Sequence, residues 1–86
     1  MSSWRLEFTP NADRTFRKLA RDVQDRIRKK LRRFAETGAG DVLAMVGRPG
    51  ELRLRVDDYR VVFERQGDRM VILVLAVGNR RDVYRD

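Results

Sequence analysis

Residues 51–64 read ELRLRVDDYRVVFE, and this alternation decides the fold. Leu52, Leu54 and Val56 fall on one side of an extended chain and Arg53 and Arg55 on the other, because successive side chains of a strand point to opposite faces. Asp57 and Asp58 form a connection short enough for a hairpin, and Tyr59–Arg65 reads as the returning strand. A second tight turn at Gly67 and Asp68 leads into Met70–Val77. Here Val71, Ile72, Leu73, Val74 and Leu75 show little alternation, which predicts a central strand buried on both faces. If the leucines go to the core, Arg53 and Arg55 stand on the opposite face, and a one-residue slip would exchange the two sets.

Upstream, Trp4, Leu6 and Phe8 alternate with Arg5 and Glu7 as a half-buried strand, with Trp4 a core residue. Thr9 is placed to cap a helix whose first position is Pro10, where a missing N–H costs nothing. Apolar residues recur at helical spacing through Ala12, Phe16, Leu19, Val23, Ile27, Leu31 and Phe34. They predict two helices over about 10–20 and 23–36, with Asp22 as the second N-cap and Gly38 and Gly40 ending that helix. Residues 38–50, GAGDVLAMVGRPG, hold four of the six glycines and one of the two prolines. They read as a connecting loop with an apolar patch at Val42, Leu43, Met45 and Val46. The order β-α-α-β-β-β predicts an α+β two-layer fold, a helical hairpin packed on one face of a mostly antiparallel four-stranded sheet, with no helix on the other face. No repeat or linker interrupts it, so residues 1–86 are expected to form a single domain.

Composition narrows the chemistry. The chain has neither cysteine nor histidine, which removes thiolate nucleophiles, disulfides, the usual neutral-pH base and the commonest metal ligand together. No metal and no cofactor is expected. Twenty basic residues face thirteen acidic ones, for a net charge of +7, and seventeen of the twenty are arginine. The guanidinium is a planar fork that matches phosphate oxygens and stacks on bases, so the bias points to a polyanionic partner. The longest apolar run, Met70–Val77, is far below the roughly 20 residues of a membrane-spanning helix, and the N-terminus shows no secretory h-region. A cytoplasmic location without membrane association is expected. The predicted second helix carries Arg26, Arg28, Lys29, Lys30, Arg32 and Arg33 around its apolar seam, a solvated face or a surface for a polyanion.

ELRLRVDDYRVVFE followed by VILVLAVGNRRDVYR resembles the RelE/ParE superfamily of bacterial toxins from type II toxin–antitoxin modules, and the likeness spans nearly the whole chain. It implies one of two activities. RelE-like members are metal-independent endoribonucleases (mRNA interferases) that cut mRNA in the ribosomal A site and so inhibit translation. ParE-like members inhibit DNA gyrase. Either kind is neutralised by an antitoxin encoded by an adjacent gene. Matched motif to motif, the resemblance implies catalytic roles for Arg53, Arg55, Arg60, Arg80 and Tyr84; on an RNA-directed reading Arg81 and the helix cations Lys29 and Arg33 are expected as further RNA contacts. The RelE-like branch is the favoured reading, since a set of basic residues on one sheet suits RNA better than a protein target. A degenerate toxin is the remaining alternative.

The expected reaction is attack of a ribose 2′-hydroxyl on the adjacent phosphate, giving a 2′,3′-cyclic phosphate. Arginines suit the charge that builds on phosphorus. They suit proton transfer poorly, because a guanidinium stays protonated above about pH 12. Some relatives have lysine on the middle strand or histidine just after the last one; the corresponding places here are Arg53, Arg55 and Asn79. Tyr84 can stack on a base or exchange a proton if neighbouring arginines lower its pKa. Each residue also has a purely structural reading. Arg60 could pair with Asp57 or Asp58, Arg53 and Arg55 could guard an edge strand against aggregation, and Tyr84 could close the core.

Overall fold

The computed structural model describes residues 3–79. The elements run β1 (Arg5–Phe8), α1 (Pro10–Arg17), α2 (Arg21–Thr37), β2 (Val42–Ala44), β3 (Leu52–Val56), β4 (Tyr59–Gln66) and β5 (Val71–Asn79). They form a five-stranded sheet in the order β1-β5-β4-β3-β2. Only the β1–β5 pair is parallel; the other three pairs are antiparallel. The α+β two-layer class is as expected, and the sheet has one strand more than the four anticipated.

The additional strand lies within the stretch read as a loop. Val42, Leu43 and Ala44 pair with Leu54, Arg53 and Leu52, a run of three residues too short to show a period among so many glycines. The helix boundary also differs. α1 ends at Arg17, and α2 begins at Arg21 with Ala20 in the cap position, where no side chain caps it. Asp22 therefore lies inside the first turn, where its charge favours the positive helix end. Gln24 takes over the junction, its side-chain amide donating to the Leu19 carbonyl at 3.0 Å. Gly38 ends α2 as anticipated, in the left-handed conformation at φ 77°, with its N–H on the Phe34 carbonyl.

One hydrophobic cluster joins the layers. Ala12 and Phe16 of α1 and Val23, Ile27, Leu31 and Ala35 of α2 pack on Leu54, Val56, Val61, Phe63, Ile72, Val74 and Val77 of the sheet. Trp4 is buried beside them. Arg65 lays its guanidinium over the Trp4 ring at 4.6 Å and donates to the Ala35 carbonyl at 2.9 Å, so a cation meets the negative end of α2. No helix among the described residues is long and apolar enough to cross a membrane.

The ladder between β4 and β5 is irregular at Val62/Phe63. Phe63 pairs with Val74 and Val62 with Ala76, so Leu75 is the extra residue of a bulge. A bulge of this kind reverses the inside–outside phase of everything after it. Ile72 and Val74 are core residues before it and Val77 after it, which leaves Ala76 and Gly78 on the opposite face. Thr9 holds the irregularity in place: its N–H donates to the Val74 carbonyl at 3.0 Å and its hydroxyl to the Leu75 carbonyl at 3.2 Å. The same hydroxyl accepts from the Ala12 N–H as the N-cap of α1. Thr9→Ala removes cap and bulge hydrogen bonds together and is expected to lower stability by about 1–2 kcal/mol, whereas Thr9→Ser retains most of it; urea denaturation of the two variants checks this.

Candidate functional site

The β3–β4 register sets the face opposite the helices. Val56 pairs with Tyr59, Arg55 with Arg60, Leu54 with Val61 and Arg53 with Val62. Because Leu54, Val56, Val61 and Phe63 are core residues, Arg53, Arg55 and Arg60 stand on the other side. The ladder extends in both directions. Arg60 pairs with Gly78 and Val62 with Ala76 across β5, Arg53 with Leu43 across β2, and the Arg55 N–H donates to the Asp41 carbonyl at 3.0 Å. Two files thus cross the sheet, Asp41·Arg55·Arg60·Gly78 and Leu43·Arg53·Val62·Ala76. The three arginines of adjoining strands come together as the sequence implied.

Their environments are unequal. Arg55 is exposed and Arg53 half-buried, while Arg60 is only 4 % exposed, with its guanidinium donating to the Tyr59 carbonyl at 3.4 Å. Arg55 and Arg60 face each other directly across the ladder, where Cβ atoms lie about 5 Å apart and like charges are unfavourable. Gly78 on the far side of Arg60 adds no side chain of its own. The bulge at Leu75 brings that glycine, and Ala76 beside Val62, to the arginine face in place of Leu75 and Val77.

One of the structural readings fails on this geometry. β3 is not an edge strand, since β2 covers its outer side, so Arg53 and Arg55 do not guard an exposed edge. Asp57, in the hairpin turn at φ 53°, gives its carboxylate to Arg26 of α2 at 2.7 Å. Arg26 also holds Asp22 at 3.1 Å and so ties the tip of the β3–β4 hairpin to α2.

Lys29 and Arg33 are exposed on α2, in a shallow groove with Asp25, Arg28, Arg32 and Glu36. That helix packs on the core face, so Lys29 is not brought beside Arg60. Arg33 also lines a groove containing Arg55 at the margin of the sheet. Arg80, Arg81 and Tyr84 lie outside the described residues. Asp41 is the residue that sequence reading missed: its carboxylate is 3.9 Å from the Arg55 Nε, and only recognition of β2 would have placed it in the arginine file.

The comparisons with known proteins agree with this architecture. The model of the family described as the ParE toxin of the type II toxin–antitoxin system parDE matches residues 6–84. The Escherichia coli K12 protein named mRNA interferase toxin RelE is 30 % identical over 83 residues, covering 92 % of this chain and 87 % of that protein. The crystal structure of the isolated E. coli RelE toxin superposes with a TM-score of 0.73 at 27 % identity, covering 95 % of this chain and 92 % of that one. An arginine-to-alanine mutant of E. coli RelE in complex with an antitoxin RelB peptide gives a TM-score of 0.69 at 28 % identity, over 90 % of this chain and 83 % of that one. The chain belongs to the RelE/ParE family of toxins of type II toxin–antitoxin systems, and within it is RelE-like.

Arg55 is half exposed and stands opposite a like charge, so Arg55→Gln is expected to leave the unfolding free energy within about 1 kcal/mol of the parent. A loss of several kcal/mol in urea denaturation would instead make Arg55 a structural residue.

Proposed function

We propose that the chain is a ribosome-dependent mRNA endoribonuclease that cleaves the message in the A site without a metal ion and is held in check by an antitoxin encoded beside it. The observation that carries the reading is the file of Arg55 and Arg60, with Arg53 beside it, on the face opposite the helices. A sheet gains nothing in stability from directly opposed guanidinium groups, whereas a phosphate passing from a diester to a pentacoordinate state needs this kind of preorganised positive charge. Each well-placed donor in such a site is worth about 3 kcal/mol at the transition state. The kinship with a protein named mRNA interferase supports the same chemistry.

On this reading the ribose 2′-hydroxyl attacks the adjacent phosphorus. The P–O bond to the 5′-carbon of the next nucleotide breaks, leaving a 2′,3′-cyclic phosphate and a 5′-hydroxyl. Arg55 and Arg60 hold the non-bridging oxygens as charge builds on them, and Arg53 steers the approaching backbone. Arg80, directly after β5, and Tyr84 complete the set, the tyrosine stacking on a base or exchanging the proton. Arg81, Lys29 and Arg33 hold RNA away from the scissile bond. The antitoxin of such a module has to neutralise the same positive face, and a cytoplasmic location follows from a ribosomal target.

The name of the matched family model, ParE toxin, favours a second reading, inhibition of DNA gyrase. Expression from a tightly repressed promoter separates the two. The first predicts messages cut at codon boundaries, mapped by their new 5′ ends, with loss of both cutting and toxicity in the folded Arg60→Ala/Arg80→Ala double variant. The second predicts intact messages, an SOS response and trapped gyrase.

A further inference from the structure

At the margin of the sheet, where α2 gives way to β2, a groove of about 280 Å³ is lined by Lys30 and Arg33 of α2, by Gly40 and Asp41, and by Leu54 and Arg55 of β3. Its volume lies just under the roughly 300–1,000 Å³ of pockets that enclose whole small molecules, so it suits a single charged group with one side open to a continuing chain. Three cations and one carboxylate line it. Gly40 sits at φ 148°, and a Cβ there would touch Val42, Leu54 and Phe34 at 3.7–3.9 Å. The backbone at this point thus lies within ordinary contact distance of the core, in a conformation that other residues rarely adopt.

Asp41 is held there in an unequal way. Its carbonyl is locked into the ladder by the Arg55 N–H at 3.0 Å, but its carboxylate stands 3.9 Å from the Arg55 Nε, with both side chains about half exposed (57 % and 50 %). Long, exposed pairs of this kind are weak. The carboxylate is an anion in the groove that Arg55 shares with Lys30 and Arg33, and it is held loosely enough to yield to a stronger one.

We propose that this groove is a subsite for one RNA phosphodiester neighbouring the scissile one, and that Asp41 is its built-in competitor. In the free protein Asp41 partly neutralises Arg55. A phosphate gripped by Lys30 and Arg33, with Arg55 shared between it and the scissile phosphate, displaces the carboxylate and leads the RNA from the arginine file round the sheet margin onto α2. The inference rests on the ribonuclease reading for the nature of the ligand, and on the groove for its place.

The test is binding of a fluorescent single-stranded RNA dodecamer to the full-length protein, followed by anisotropy across a range of salt. Asp41→Asn keeps the side chain's size and is expected to bind about threefold to fivefold more tightly. Asp68→Asn, the same charge change in the distant β4–β5 turn, supplies the effect of net charge alone. Lys30→Gln/Arg33→Gln should weaken binding at least tenfold and lower the slope of log K against log salt by about 0.7 for each phosphate that is no longer neutralised. The gain from Asp41→Asn should vanish in an Arg55→Gln background.

Equal effects of Asp41→Asn and Asp68→Asn, or an unchanged slope in the Lys30/Arg33 variant, overturn the subsite while leaving the ribonuclease reading intact. Absence of salt-dependent RNA binding by the parent also overturns the subsite; the ribonuclease reading, which places cleavage on the ribosome, stands or falls separately on the mapping of cut messages. If Asp41→Asn tightens binding of a polyglutamate peptide but not of RNA, the groove belongs to an acidic protein partner and the proposal falls.

Discussion

The register between β3 and β4 is the constraint on which the rest depends. A strand has two faces, and pairing Val56 with Tyr59 across the hairpin commits every residue behind that pair. Leu54, Val56, Val61 and Phe63 all enter the core and are at most 1 % exposed. Burying each is worth about 1.5–3 kcal/mol, whereas setting Arg55 opposite Arg60 costs at most about 1 kcal/mol. A one-residue slip would expose the apolar set to relieve a much smaller repulsion. The core therefore holds the arginines on one face against their mutual charge, and that face is imposed by the packing on its reverse side.

Arginine is used in two ways in this chain. Arg65 covers Trp4 and binds the end of α2, Arg26 ties the hairpin tip to α2, Arg28 lies over the Phe16 ring at 5.0 Å, and Arg17 holds Asp13 at 2.9 Å. These bind aromatic rings, helix ends or neighbouring carboxylates and join one element to another or brace a single helix. Arg53, Arg55 and Arg60 are collected on one face by strand periodicity. A net charge of +7 alone does not distinguish the two uses; the pairing register does.

Much of this was legible in the sequence because strand periodicity and core burial give the same answer over residues 52–65. Each apolar residue of β3 has a charged neighbour that marks the phase. The helix ends were less legible. Asp22 is a good cap residue by type, but the chain turns earlier, at Ala20, where Gln24 satisfies the freed carbonyl of Leu19. β2 was hidden because three residues among glycines carry no periodic signal; its pairing comes from β3, a long-range partner. Asp41 was hidden with it. The roles of Arg80, Arg81 and Tyr84 were suggested by motif, and they lie outside the described residues.

The bulge at Leu75 links packing to chemistry. Before it, β5 turns Ile72 and Val74 to the core; with strict alternation, Ala76 and Gly78 would follow them and Leu75 and Val77 would stand on the arginine face. The two smallest side chains would then sit where the core needs volume, and two branched ones would flank the file where the guanidinium groups need room. One extra residue corrects both errors together, sending Val77 inward and Gly78 beside Arg60. The irregularity is stabilised by the same threonine that starts α1. The apolar run of β5 gives no sequence-level sign of this phase change; only the pairing register shows that one residue serves both the core and the arginine face.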